Sequence, residues 1–334
     1  MAPLRGAARF RVSFAQRRAD ALAAGAGRVY PNTSSEVLVP HPNRRAVLAG
    51  AAATAAVAAT ATWSTAMSAP KRQPVIYLPH GGGPWPWMQG HPLTSGTESL
   101  RAYLEALPRS MPEAPRAILA VTAHWEATVP TVSSGARPGM YYDYSGFPAH
   151  TYEIVWPAPG HPGLATRTRE LLAAGGFSTA EDPNRGYDHG TFVPLAVAWP
   201  GAEVPTVQLS LVRGLDPETH LRMGRALAPL RDEGVLIVGS GMSYHNMRGF
   251  GRPEAAAASD AFDAWIGETT SSPRAVREER LRRWSEAPAA RACHPREEHL
   301  LPLMVIAGAA GDDVGAVPFR DRILGTTVSA AHFG

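Results

Sequence analysis

The sequence predicts an α/β fold: a single domain with a central mixed sheet flanked by helices, preceded by a leader segment. Three observations carry this. Four short apolar runs of strand length recur after residue 74, and Gly or His closes most of them. Stretches with N-cap residues and glycine stops, as helices have, lie between them. No internal repeat and no second shift in composition divides residues 71–334. With 45% hydrophobic positions among 334 residues, the chain is neither disordered nor short of core material.

The leader comes first. Residues 1–70 hold eight arginines and only two acids, Asp20 and Glu36. Asn43-Arg44-Arg45 precedes a weakly apolar Ala/Thr run to about Trp63, followed by the small residues Ala66 and Ser68. A basic pair, an apolar stretch and small residues read as a secretory signal. The adjacent arginines resemble a twin-arginine export signal. The expectation is export from the cytoplasm, periplasmic or extracytoplasmic, with the export machinery as partner of the leader. The run is too weakly apolar for a stable membrane span. An organelle transit peptide, a cytoplasmic protein, or an over-extended start over residues 1–42 are the competing readings. Residues 71–334 carry 24 basic and 27 acidic side chains, so the net charge of +3 belongs to the leader. Nothing in the domain argues for nucleic acid. Cys293 stands alone, which excludes an intrachain disulfide and a cysteine zinc cluster.

The strand-like runs are Val75–Leu78, Ala117–Thr122, Val204–Leu211 and Val235–Val238. Pro205 places the third at a sheet edge or at a strand start. Pro162 to Ala174, stopped by Gly175-Gly176, and Pro217 to Leu230, with Asp216 as N-cap, read as helices. Three of the 12 histidines, His80, His124 and His245, fall just past predicted strand ends. In open α/β sheets the ligand crevice lies there, so three imidazoles are expected in one cleft. His189 enters a helical run from a loop, and His299 heads an apolar helix. Without thiolates, imidazole ligands favour zinc or non-haem iron. His91, His150, His161, His220, His294 and His332 lack such placement, and His41 falls in the leader. Glu126, two residues past His124, is a further candidate ligand.

At this point the chain resembles the class III extradiol ring-cleaving dioxygenases, in particular the DOPA 4,5-dioxygenase-type branch. Five segments carry the resemblance in family order: Pro79-His80-Gly81-Gly82-Gly83-Pro84, Ala123-His124-Trp125-Glu126, Gly186-Tyr187-Asp188-His189-Gly190, Gly239 to Asn246, and Glu298-His299-Leu300-Leu301-Pro302-Leu303. Tyr144 to Pro148 and Trp156 to Gly160 add to it. The family usually reads His-Gly-Ser-Pro at the first segment; here an extra glycine precedes Pro84.

The resemblance implies His80, His124 and His299 as metal ligands. It implies His245 as acid/base or fourth ligand, and His189 as a second active-site histidine. The implied reaction opens the ring of a catechol with O2. Iron(II) suits that redox work and zinc does not, although zinc can be the metal isolated with the protein. A zinc-dependent hydrolase and a non-enzymatic metal-binding protein of the same superfamily are the alternatives. Tyr187, Trp125 and Asn246 are expected to pack or shape loops. Arg213, Arg248 and Tyr142 are candidates for gripping a substrate carboxylate, or are surface residues.

Overall fold

Val75–Pro79 (β1), Ala117–Ala127 (β2), Thr206–Val212 (β5) and Val235–Gly241 (β6) form the centre of the sheet. All but the ends of β2 and β5 are buried, which is what unbroken apolar runs demand of parallel strands covered on both faces. The computed structural model describes residues 70–334; the expectations for the leader, Arg44-Arg45 and His41 lie outside the described residues. Thr131–Ser133 (β3), Ala180–Asp182 (β4), Gly315–Ile323 (β7) and Thr326–Phe333 (β8) complete one mixed sheet, in the order β4-β3-β5-β2-β6-β1-β8-β7. The inner four strands are parallel, and β3 and β8 flank them antiparallel. Pro205 stands one residue ahead of β5, so the proline marks a strand start and not an edge.

Eight helices accompany the sheet among the described residues: Glu98–Ala106 (α1), Pro162–Ala174 (α2), His189–Ala198 (α3), Pro217–Leu227 (α4), Pro253–Thr270 (α5), Arg274–Arg282 (α6), Ala290–Cys293 (α7) and Leu301–Ala310 (α8). Asp216 caps α4 as read from the sequence, accepting a bond from the Thr219 N–H at 2.8 Å. None of them is long and apolar enough to cross a membrane.

Helix α8 positions the site. It is buried at every residue and packs against β6, where Gly239 and Gly241 leave no Cβ to keep it away. Its last carbonyls would be orphaned in the core. Two buried guanidiniums meet them: Arg231 Nη1 donates to Ala309 O and Ala310 O at 3.1 Å, and Arg277 Nη2 to Gly311 O at 2.6 Å. Positive charge at a helix C-terminus also complements its dipole.

Candidate metal centre

Because β1, β2 and β6 are parallel, residues leaving their carboxyl ends meet on one edge of the sheet. His80 follows directly on β1. His124 sits in a bulge within β2, where residues 122–125 stand opposite Ser210 alone. Gly190 closes in from α3; a Cβ there would lie 2.8 Å from both His124 Cδ2 and Thr122 Oγ1. His299, just ahead of α8, is held through its carbonyl, which accepts from the Tyr77 hydroxyl at 2.9 Å and the Met242 N–H at 3.1 Å.

The Nε2 atom of His124 lies 3.2 Å from Nε2 of His80 and 3.2 Å from Nε2 of His299. Each ring is oriented through its other nitrogen. His80 Nδ1 donates to Gly81 O at 2.7 Å, His124 Nδ1 faces Asp143 Oδ2 at 3.2 Å, and His299 Nδ1 faces Glu298 Oε1 at 2.9 Å. Those partners can only accept, so the ring proton belongs on Nδ1 and the lone pair on Nε2. Three lone pairs then point at one another with no proton between them. Nitrogens bound to one ion at ~2.1 Å and roughly 90–110° sit about 3.0–3.4 Å apart, so the donor set fits a cation. Burial holds His80 well below the ordinary histidine range, and its imidazole neighbours add to this. Burial does the same to His299 against the opposing pull of Glu298. Both rings therefore stay neutral and able to ligate.

Two carboxylates back the centre, and each serves a second imidazole. Asp143 Oδ1 accepts from His189 Nδ1 at 2.8 Å and from the His189 N–H at 2.9 Å. Glu298 Oε1 lies 3.3 Å from His245 Nδ1. Burial alone would raise the Asp143 carboxyl, but bonds from His124 and His189 outweigh it and hold it far below the usual carboxylate range. Glu298 is held down likewise by His245 and His299. Asp143 and Glu298 place two negative charges beside the imidazoles, which favours a bound cation. A second pattern follows from the placement. The ligand atoms of His80, His124 and His299 form one close group, whereas His245 groups with Glu298 and His299 and stacks on the His299 ring at 3.3 Å and 15°.

All five histidines line one cavity of about 280 Å³, close to the lower end of the roughly 300–1,000 Å³ typical of small-molecule sites. The model of the catalytic LigB subunit of aromatic ring-opening dioxygenase matches residues 74–331. The chain belongs to this family. Its relatives include the dioxygenase tasH of Hapsidospora irregularis, 37% identical over 283 residues, covering 78% of this chain and 85% of the relative. The 4,5-DOPA dioxygenase extradiol of Portulaca grandiflora is 43% identical over 207 residues, 60% of this chain and 75% of that one. The protein of the same description from Escherichia coli (strain K12) is 34% identical over 243 residues, 71% and 85%. A crystal structure of an uncharacterized Escherichia coli K12 protein superposes with a TM-score of 0.62 at 28% identity, covering 79% of this chain and all of that one. Family membership makes the chain an aromatic ring-opening dioxygenase in type, with a histidine-rich potential metal site.

The other residues singled out from the sequence fall elsewhere. Glu126 pairs with Arg296 at 2.6 Å, outside the histidine group. Tyr187 is buried and donates to Thr206 O at 2.9 Å, and Asn246 shapes its loop through Ala292 O and the Arg248 N–H. Trp125 stacks under the Arg185 guanidinium, which reaches Asp188 at 2.9 Å. Asp188, fully buried, caps α3 and so sets His189. His220 and His294 are buried against backbone groups. Cys293 is buried, and burial pushes its thiol up to about 12. Asp143 and Arg185 had no role in the reading of the sequence, and Glu298 figured only as part of a motif.

Proposed function

We propose that the protein is an extradiol dioxygenase that opens the ring of a catechol-type substrate with both atoms of O2, using a metal ion held by His80, His124 and His299. The observation that carries this is the pair of spare imidazoles. A purely structural site has no use for His189 and His245, yet both line the same cavity, each fixed by a carboxylate shared with a ligand. Iron(II) bound there would supply the one-electron redox chemistry that lets O2 react with a closed-shell ring, with positions left for two catechol oxygens.

The chain's own part is proton handling. With the Nδ1 proton of His245 directed at Glu298, its Nε2 is free to take the second catechol proton and later return it. Glu298 steadies the imidazolium between those events. His189 presents its free Nε2 to the cavity as an acceptor for a substrate hydroxyl, and its burial opposes charging. We propose His245 as the acid/base group and not as a fourth ligand; its ring is stacked on His299 instead of aimed into the triad. The leader, in this reading, exports the catalytic domain of residues 71–334, and Arg44-Arg45→Lys-Lys should stop extracytoplasmic accumulation. The test of the reaction is O2 uptake by iron(II)-loaded protein with a catechol. One O2 consumed per ring opened supports it. Hydrolysis of an ester without O2 by the zinc-loaded protein, and no uptake, would refute it.

A further inference from the structure

The wall opposite the histidines is apolar to a degree that the reaction does not require. Beyond the five imidazoles, the described residues lining the cavity include no Lys, Arg, Asp or Glu. Its single hydroxyl, that of Tyr144, is already committed to Thr151 O at 2.6 Å. The wall is built from Leu93, Phe147, Met242, Met247, Phe250 and Leu324. Leu93 and Met247 are 42% and 73% exposed, so an apolar surface continues outward from the mouth. None of the charged candidates reaches it. Arg213 is exposed beyond β5, Arg248 lines a separate surface hollow, and the Tyr142 hydroxyl donates to Ile154 O at 2.6 Å.

The mouth is tied together. The Gly251 N–H donates to Leu324 O at 2.8 Å, and the Leu324 N–H to Ser95 O at 3.3 Å, joining three chain segments. Leu324 itself breaks a local rule. It and Gly325 form the two-residue turn between β7 and β8, with φ of 50° and 82°. Such turns favour Asn, Asp or Gly at the first position, because a branched apolar residue at positive φ is strained. A leucine kept there against local preference, with its side chain on the cavity, points to a ligand contact.

We infer that this cleft selects neutral, alkyl-substituted catechols and disfavours ring substituents that end in a charged group. The inference rests on the ring-cleaving reading for the catechol end of the ligand. A carboxylate pushed against this wall loses water and gains no partner. An alkyl tail there gains about fourfold in affinity per methylene buried.

The experiment is anaerobic calorimetry on iron(II)-loaded protein with 4-methyl-, 4-propyl- and 4-butylcatechol, the matched 3-(3,4-dihydroxyphenyl)propionate, and DOPA, followed by O2 uptake with each. Affinity should rise along the alkyl series, and 4-butylcatechol should bind roughly tenfold or more tighter than the propionate. Leu324→Asn should fold at least as stably and weaken 4-butylcatechol severalfold, while methylcatechol changes little. A flat alkyl series, tighter binding of the propionate or of DOPA, or an unaltered Leu324→Asn would overturn the inference. Chain-length-dependent binding without O2 uptake would refute ring cleavage and leave the selectivity standing. Uptake favouring the propionate would do the reverse.

Discussion

Asp143 gives a separate oxygen to each of its two imidazoles, whereas Glu298 offers one oxygen to both. The consequences differ for the two spare rings. His189 is bonded to Asp143 through ring and backbone and its side chain is 9% exposed. His245 meets Glu298 through its ring alone, at 3.3 Å, and its side chain is 21% exposed. A group that must gain and lose a proton in each turnover does so at less cost where it is wetter and less constrained. In the proposed mechanism the tight pair orients and the loose pair carries the proton, although one carboxylate and two imidazoles build each.

The largest effects should come from the close group of three rings that the two carboxylates back. His80→Ala, His124→Ala and His299→Ala should each lose bound metal and O2 uptake altogether, read by metal analysis of the purified variants. A full metal complement in His124→Ala would sink the assignment. His220→Ala should keep its metal while losing about 1–3 kcal/mol of stability, since it empties a buried site and strands the half-buried Val212 N–H. Next, His245→Ala should retain metal and catechol binding while turnover drops roughly 10²–10⁴-fold. Loss of metal instead, restored by excess iron, would make His245 a ligand and erase the contrast with His189. The carboxylates come third: Asp143→Asn and Glu298→Gln should weaken metal binding about 10–100-fold, measured by competition with a chelator.

The smallest effect concerns histidines that have no carboxylate at all. Burial pushes His294 down to about 4 and His332 likewise to about 4. Their unfolded values lie near 6.5, so between those limits the unfolded chain binds more protons than the folded one. Stability should be complete above about pH 6.5 and fall as pH drops toward 4, by about 1.4 kcal/mol per pH unit for each ring. Urea midpoints at pH 7.5 and 5 check this, with a shallower decline expected in His332→Gln. Equal midpoints would mean that both rings charge freely in the folded protein.

Parallel strands buried on both faces leave unbroken apolar runs, so the positions of His80 and His245 beyond strand ends were legible; His124 instead lies within β2, which runs on to Ala127. β1, β2, β5 and β6 were read that way, and α2 to the residue. β7 was not: only Gly315, Phe319 and Ile323 are buried, and Arg320, Asp321 and Arg322 leave no apolar run to read. Asp143 lies in a long connection without periodicity, where no spacing ties it to His124. One signal was present, since it is the sole acid between Glu126 and Glu153. Glu298 was hidden by Arg296 and Glu297, which make the segment look like a solvated charge run. The bulge in β2 is equally invisible, because it depends on the strand paired beside it.

His299 is fastened to the molecule through the Tyr77 hydroxyl, and β8 pairs directly with β1. The beginning of the domain is therefore finished by its end. On a ribosome adding about 5–20 residues per second, His80 waits roughly 10–40 s before His299 exists to meet it. Throughout that interval β1 lacks its β8 neighbour and the nascent chain offers only part of the triad. On the proposed ligand set, capture by all three imidazoles is timed by translation, because His299 joins only when the chain is nearly complete.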